Sequence, residues 1–233
     1  MEKVISVKNL EKSYIKGHPV IKNLNLEIGT GKIVGLLGPN GCGKTTLMKI
    51  LVGLIKDHTG EVAVCGLPVG PESKAVVSYL PEKTYLSDWM KASDALSMFE
   101  DFYKDFDKKR ALELIQKFGL TPDMKLKAMS KGMQEKMHLI LVMSRRAKLY
   151  ILDEPMSGVD PAARDVILDT ILKNYSPDST VLLSTHLIGD VEQVFDEIII
   201  MGEGKIIMAD GVDEIRTKYG KSIDEVFKEV FKC

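Results

Sequence analysis

The segment GPNGCGKT (38–45) constrains this chain more than any other. It follows the apolar run KIVGLLG (32–38) and precedes TLMKILVGL, the strand, loop, helix context that a phosphate-binding loop requires. Gly38, Gly41 and Gly43 let the backbone fold into a nest whose amide hydrogens point at phosphate oxygens, and the positive end of the following helix adds to the field. Pro39, Asn40, Cys42 and Thr46 complete the expected nucleotide-binding set. Lys44 supplies a point charge for the β and γ phosphates, and the hydroxyl of Thr45 is placed to ligate the Mg²⁺ that bridges them. A nucleoside triphosphate with Mg²⁺ is therefore the expected ligand.

A second acidic site lies at LYILDEP, where four apolar residues put Asp153 and Glu154 at the carboxyl end of a buried strand. Asp153 suits Mg²⁺. Strand alternation points Glu154 elsewhere, so it is free to hold an attacking water as general base. His186 directly follows the run TVLLST (180–185), at the same sheet edge, where an imidazole reaches toward a γ-phosphate.

The runs KIVGLLG, KLYILD (148–153), TVLLST and EIIIM (197–201) read as buried parallel strands. Helix signals lie between them, including Asp160 as N-cap with Pro161 behind it, so the core is α/β with a parallel sheet. VISVKNL and VIKNLNLEI predict an antiparallel sheet edge in the first 30 residues, an N-terminal antiparallel β subdomain of the core. Residues 87–145 have little strand character. Leu96, Phe99, Tyr103 and Phe106 recur at helical spacing there, which predicts an inserted helical subdomain within an α/β core of 1–86 and 146–233. Phe99, Phe102, Tyr103 and Phe106 are expected in its core. After Lys205 a capping box, Ser222 with Glu225, opens a helix whose stripe of Ile223, Val226, Phe227, Val230 and Phe231 is expected to dock onto its own domain.

The 32 Lys and Arg nearly cancel 33 Asp and Glu, which leaves little electrostatic reason for a nucleic-acid partner. No apolar stretch approaches the roughly 20 residues of a membrane-spanning helix, and the N-terminus lacks the pattern of a secretory signal. Cys42, Cys65 and Cys233 form no CxxC pair, which fits a reducing cytoplasm. Two readings of Cys42 stand side by side. Lys44 and the helix N-terminus favour a reactive thiolate facing the phosphates; alternatively the side chain fills a small gap beneath the loop.

Together these segments resemble the ATP-binding subunit of an ABC transporter, over nearly the whole chain and in the expected order. MSKGMQ (129–134) looks like the family signature LSGGQ, with Ser130, Lys131, Gly132, Met133 and Gln134 placed ahead of a helix over 133–145. SGVD (157–160) resembles the D-loop through Ser157, Gly158 and Asp160. His186 matches the switch histidine, and Tyr14 the aromatic that stacks on adenine. Glu82, in YLPE, stands where the family usually has Gln; it is able to approach Mg²⁺ but cannot donate a hydrogen bond when ionised.

The resemblance implies a phosphate-loop NTPase fold, ATP hydrolysis, a homodimer or heterodimer with another ABC ATPase subunit, and a separate integral membrane permease. It places the chain on the inner face of the cell membrane. A short tail after Lys205, with the YLPE and SKGMQ variants, resembles bacterial exporter ATPases. The rival reading is a soluble ABC-type ATPase in DNA repair, translation or cofactor assembly. Too few residues separate Thr45 from Ser130 for the long coiled coils of repair ATPases, and translation factors carry two ATPase domains in one chain. A phosphate-loop kinase is disfavoured by Glu154 beside Asp153.

Overall fold

A computed structural model describes residues 2–157, 159, 161–176 and 178–232. Gly158, Asp160 and Cys233 lie outside the described residues, and with them the expected N-cap at Asp160 and part of the expected D-loop.

Strands β1 (Lys3–Ile15) and β2 (His18–Gly29) pair antiparallel, burying Ile5, Val7 and Leu10 of one against Ile21, Leu24, Leu26 and Ile28 of the other. Strand β3 (Ile33–Leu37) is buried along its whole length, as its unbroken apolar run requires, and leads into helix α1 (Lys44–Leu51). Strands β4 (Thr59–Val64) and β5 (Leu67–Pro68) return to the first sheet, whose order is β2-β1-β4-β5. The N-terminal strands thus form the expected antiparallel β subdomain, a sheet of their own beside the parallel one. Their buried faces pack over α1 and one face of β3, in a cluster that includes Val34, Leu36, Leu47, Met48 and Ile50.

Helix α2 (Pro71–Val76) precedes strand β6 (Val77–Leu80). Three helices follow, α3 (Ala92–Phe102), α4 (Lys108–Lys117) and α5 (Lys131–Met143), before strand β7 (Leu149–Asp153). Helix α6 (Pro161–Asn174), strand β8 (Thr180–Ser184), the short helix α7 (Ile188–Val191) and strands β9 (Glu197–Gly202) and β10 (Lys205–Gly211) come next. The second sheet runs β10-β9-β3-β8-β7-β6, parallel throughout except for β10. The four expected parallel strands are all present. Helices α8 (Val212–Tyr219) and α9 (Ile223–Phe231) close the chain; the Ser222 capping box forms, and Ile223 and Val226 are buried in the core beneath the sheet, so the apolar stripe docks on its own chain.

A third apolar cluster joins α3, α4 and α5 through Leu96, Phe99, Leu114, Ile115, Met137 and Ile140. Phe99 packs against Tyr103 and Phe106 at centroid distances of 5.2 and 5.6 Å. Phe102 departs from expectation: it is 76% exposed, because α3 turns that side away from the cluster and ends there.

Arg145 is the largest fully buried side chain. Its Nε and Nη2 donate to the two carboxylate oxygens of Asp105 at 3.0 and 3.1 Å, Nη1 to Val77 O at 2.5 Å and Nη2 to Ala75 O at 2.6 Å, with the Tyr103 ring centroid 3.8 Å from Cζ. Arg145→Ala strands these acceptors and is expected to cost about 3–5 kcal/mol in urea unfolding, with Arg145→Lys restoring only part, since an ammonium cannot reproduce the fork.

His138, on α5, is buried, and burial pushes its imidazole pKa down to about 4 from 6.5. The folded chain therefore holds it neutral, whereas the unfolded chain protonates it once the pH drops below 6.5. Stability present above 6.5 is lost as pH falls toward 4, by about 3 kcal/mol. Comparing denaturant midpoints of wild type and His138→Gln across that window should show a steeper fall in the wild type.

Candidate functional site

The carboxyl ends of β3, β7 and β8 bring the motifs to one edge of the parallel sheet. Gly38 leaves β3 where no side chain fits: a Cβ there would lie 2.4 Å from Met201 O and 2.6 Å from Cys42 Sγ. Gly43, at φ 110°, caps α1 in a left-handed conformation that aims the first helical amides back into the loop. Lys44 is buried within this nest, its Nζ donating to Gly38 O at 2.6 Å and Pro39 O at 3.3 Å. Lys44→Ala deletes the loop's cation and is expected to weaken ATP binding roughly 10- to 100-fold, read by equilibrium titration.

Of the two readings of Cys42, the gap-filling one holds. The side chain is 5% exposed and packs in the apolar cluster under the loop, beside Gly38, apart from the residues that line the cleft. Its backbone still belongs to the loop, with Cys42 O accepting from Gly204 N.

Asp153, the last residue of β7, is 1% exposed. Its Oδ1 accepts from Thr45 Oγ1 at 3.2 Å and Ser184 Oγ at 2.8 Å, while Oδ2 is buried with no hydrogen-bond partner among the described residues. Burial raises its pKa, the hydrogen bonds from Ser184 and Thr45 oppose that, and the nearby charges of Glu82 and Glu154 raise it further. A buried, bare carboxylate oxygen beside a hydroxyl fits a hard cation such as Mg²⁺. Ser184 was missed in the sequence; the signal available was a hydroxyl residue ending a buried strand at the ligand edge.

Glu154 diverges from Asp153 by a route other than strand alternation. Its φ is 53°, a left-handed conformation uncommon for a side chain of this kind, and it ends the strand. Its amide donates to Ser184 O at 3.2 Å and Ser184 Oγ at 3.0 Å, which holds the turn. Its Oε2 lies 2.8 Å from Nδ1 of His186, so the two side chains meet at the sheet edge where the sequence placed each of them.

A cleft of about 490 Å³ is lined by Lys44, Thr45, Glu82, Glu154, Ser157 and His186, with Asn40, Gly41, Gly43 and Thr46 along one wall. Tyr14 stands above the loop on β1, its ring 60% exposed, with its hydroxyl 3.3 Å from Thr46 Oγ1 and Lys12 Nζ 4.8 Å from its centroid. The signature-like residues sit elsewhere. Ser130 caps α5, accepting from Met133 N at 3.3 Å, and Lys131 through Gln134 form the first helical turn and not a loop before it. A hydroxyl N-cap starts the helix two residues sooner than expected. Lys131 faces solvent, and Gln134 Nε2 donates to Leu126 O at 3.0 Å.

A parallel sheet whose central strand runs through a glycine-bounded anion nest into a helix, with an acidic neighbouring strand end, defines a phosphate-loop nucleoside triphosphatase. The sequence profile of the ABC transporter family matches residues 21–157, well over half of the chain. The chain belongs to that family, as an ATP-binding, ATP-hydrolysing cassette of ABC transporters. YdbJ of Bacillus subtilis (strain 168), an uncharacterized ABC transporter ATP-binding protein, is 33% identical over 230 residues, covering 93% of this chain and 73% of YdbJ. EcsA of the same organism, an ABC-type transporter ATP-binding protein, is 29% identical over 240 residues, covering 98% and 97%. Among solved structures, an ATP-binding subunit of an ABC transporter superposes with a TM-score of 0.89 at 27% identity, covering 98% of this chain and 99% of the other. The dimeric cassette MJ0796 bound to ADP and Pi shares the fold with a TM-score of 0.78 at 22% identity, over 89% and 98%.

Proposed function

We propose that this chain binds MgATP in the 490 Å³ cleft, hydrolyses it in a dimer of cassettes, and so powers outward transport by a separate membrane permease. The observation that carries the reading is the convergence of Lys44, Thr45, Glu82, Glu154 and His186 on that one cleft, with Asp153 buried at its floor against Thr45. Tyr14 offers its exposed ring to adenine, and the amides of 38–45 with Lys44 hold the phosphates. Mg²⁺, held by Thr45 Oγ1 and Asp153 Oδ2, would offset charge on the β and γ phosphates. Glu154 takes a proton from water as the water oxygen attacks the γ-phosphorus, the bond from that phosphorus to the β–γ bridging oxygen breaks to release ADP and phosphate, and His186, bonded to Oε2, keeps the carboxylate oriented.

The partner cassette, identical or different, meets this chain through Ser130 to Gln134 and the 157–160 segment. Residues 87–145 serve as the helical subdomain within a core of 1–86 and 146–233, and the groove it shares with Glu82 is where the permease docks. The outward direction rests on the YLPE and SKGMQ segments. No helix among the described residues is long and apolar enough to cross a membrane, and the reading assigns the path across to a partner. Cells that express the tagged full chain should yield it from the membrane fraction, bound to a polypeptide with about six apolar segments of roughly 20 residues. Recovery free of any membrane protein would favour a soluble cassette ATPase instead.

A further inference from the structure

Three side-chain hydrogen bonds stitch one stripe of α5 and its C-terminal extension to the segment that leads into Glu82. Arg145 Nη1 donates to Val77 O at 2.5 Å, Ser78 Oγ donates to Val142 O at 2.9 Å, and Thr84 Oγ1 lies 2.9 Å from His138 Nε2. Positions 138, 142 and 145 follow the spacing of a single helical face. The first two bonds hold β6, which the sheet already fixes through its pairing with β7. The third lies beyond the end of the strand, on the loop that carries Glu82.

Farther along, that loop is held by Leu86 and Met90, buried in the helical cluster, and by Met90 O accepting from Leu126 N; nearer Glu82 it spans open space. A cavity of about 500 Å³ runs under it, with Glu82, Glu154 and Ser157 on one side and Lys131, Gln134 and His138 on the other. Thr84 Oγ1 accepts from Leu86 N at 3.2 Å, so its own proton is free to go to the imidazole. The Tyr85 ring rests 5.3 Å from that of His138 and covers the bond. Burial keeps the imidazole neutral, which leaves Nε2 able to accept at ordinary pH.

We propose that Thr84 and His138 are a positioning pair: their hydrogen bond anchors the Glu82 loop to α5, so that Glu82 and the first turn of that helix keep a fixed relation to Glu154. The proposal rests on the reading of the cleft as the MgATP site. Without the anchor, Glu82 would sample positions over the cavity while the phosphate loop, held by β3 and α1, would stay intact. The defect should therefore fall on turnover and not on nucleotide capture.

The test uses the full chain and compares Thr84→Val, which keeps the shape and deletes the hydroxyl, with Thr84→Ser, which keeps the hydroxyl. Thr84→Val should lower kcat roughly tenfold with KM for ATP unchanged, and Thr84→Ser should recover the wild-type rate. A wild-type kcat in Thr84→Val, equal losses in both variants, or a rise in KM matching the loss in kcat would each overturn the pair. A wild-type chain that turns over MgATP while Thr84→Val behaves identically removes only this proposal, whereas a wild type with no MgATP turnover removes the reading of the cleft as well.

Discussion

Glu154→Gln should bind MgATP as tightly as the wild type and hydrolyse it roughly 10²- to 10⁴-fold more slowly. The amide keeps the size of the side chain and its bond to His186 Nδ1 but cannot take a proton from water. Because Glu154 stands in a left-handed turn held by two bonds from its amide to Ser184, the substitution leaves the backbone constraint in place. Binding belongs to a different segment, the 38–45 loop, so the two properties separate. Equilibrium nucleotide titration beside phosphate-release kinetics checks both halves. Equal turnover in the two proteins would place the base elsewhere.

The second large effect carries opposite signs in two measurements. Asp153→Asn should lower Mg²⁺-dependent turnover roughly 10²- to 10³-fold, since a neutral amide is a poor ligand for a hard cation. In nucleotide-free protein the same change should raise the melting temperature. Burial pushes the Asp153 pKa above its ordinary value, so the group favours the fold below the unfolded pKa and that contribution is lost as pH rises through the folded one. At neutral pH the buried charge is a liability, and Asn removes it while its oxygen still accepts from Thr45 and Ser184. Added Mg²⁺ should stabilise the wild type and leave Asp153→Asn unmoved. A lower melting temperature for the variant would mean that Asp153 holds the fold and not a cation.

The parts of the fold legible in the sequence are those where one physical requirement dominates. Strands β3, β7, β8 and β9 are covered on both faces and hence uniformly apolar, and the Ser222 capping box announces α9. Strand β6 was silent: four residues long, it contains Ser78 and Tyr79, and its partner is more than sixty residues away. The antiparallel pairing of β1 with β2 and its standing as a β subdomain were readable; that α1 fills the space between the two sheets is something no local pattern encodes.

The candidate site divides in the same way. Lys44, Thr45 and Asp153 were visible because phosphate and metal chemistry restricts residue type at fixed spacing. The left-handed turn at Glu154, the hydroxyl of Ser184 beneath Asp153 and the inward thiol of Cys42 are consequences of three-dimensional closure. Phe102 and Phe99 were both expected in the core, yet only Phe99 lies on the helical stripe of Leu96, Tyr103 and Phe106, and Phe102, off that stripe at the end of the helix, faces solvent.

The central claim, that this cleft hydrolyses MgATP, is tested most directly by single-turnover phosphate release from γ-labelled ATP bound to the full chain. The account predicts release from the wild type with Mg²⁺, none when EDTA replaces it, and retention of intact ATP by Glu154→Gln over the same interval. Release that proceeds without Mg²⁺, or equally fast in Glu154→Gln and Asp153→Asn, would contradict it.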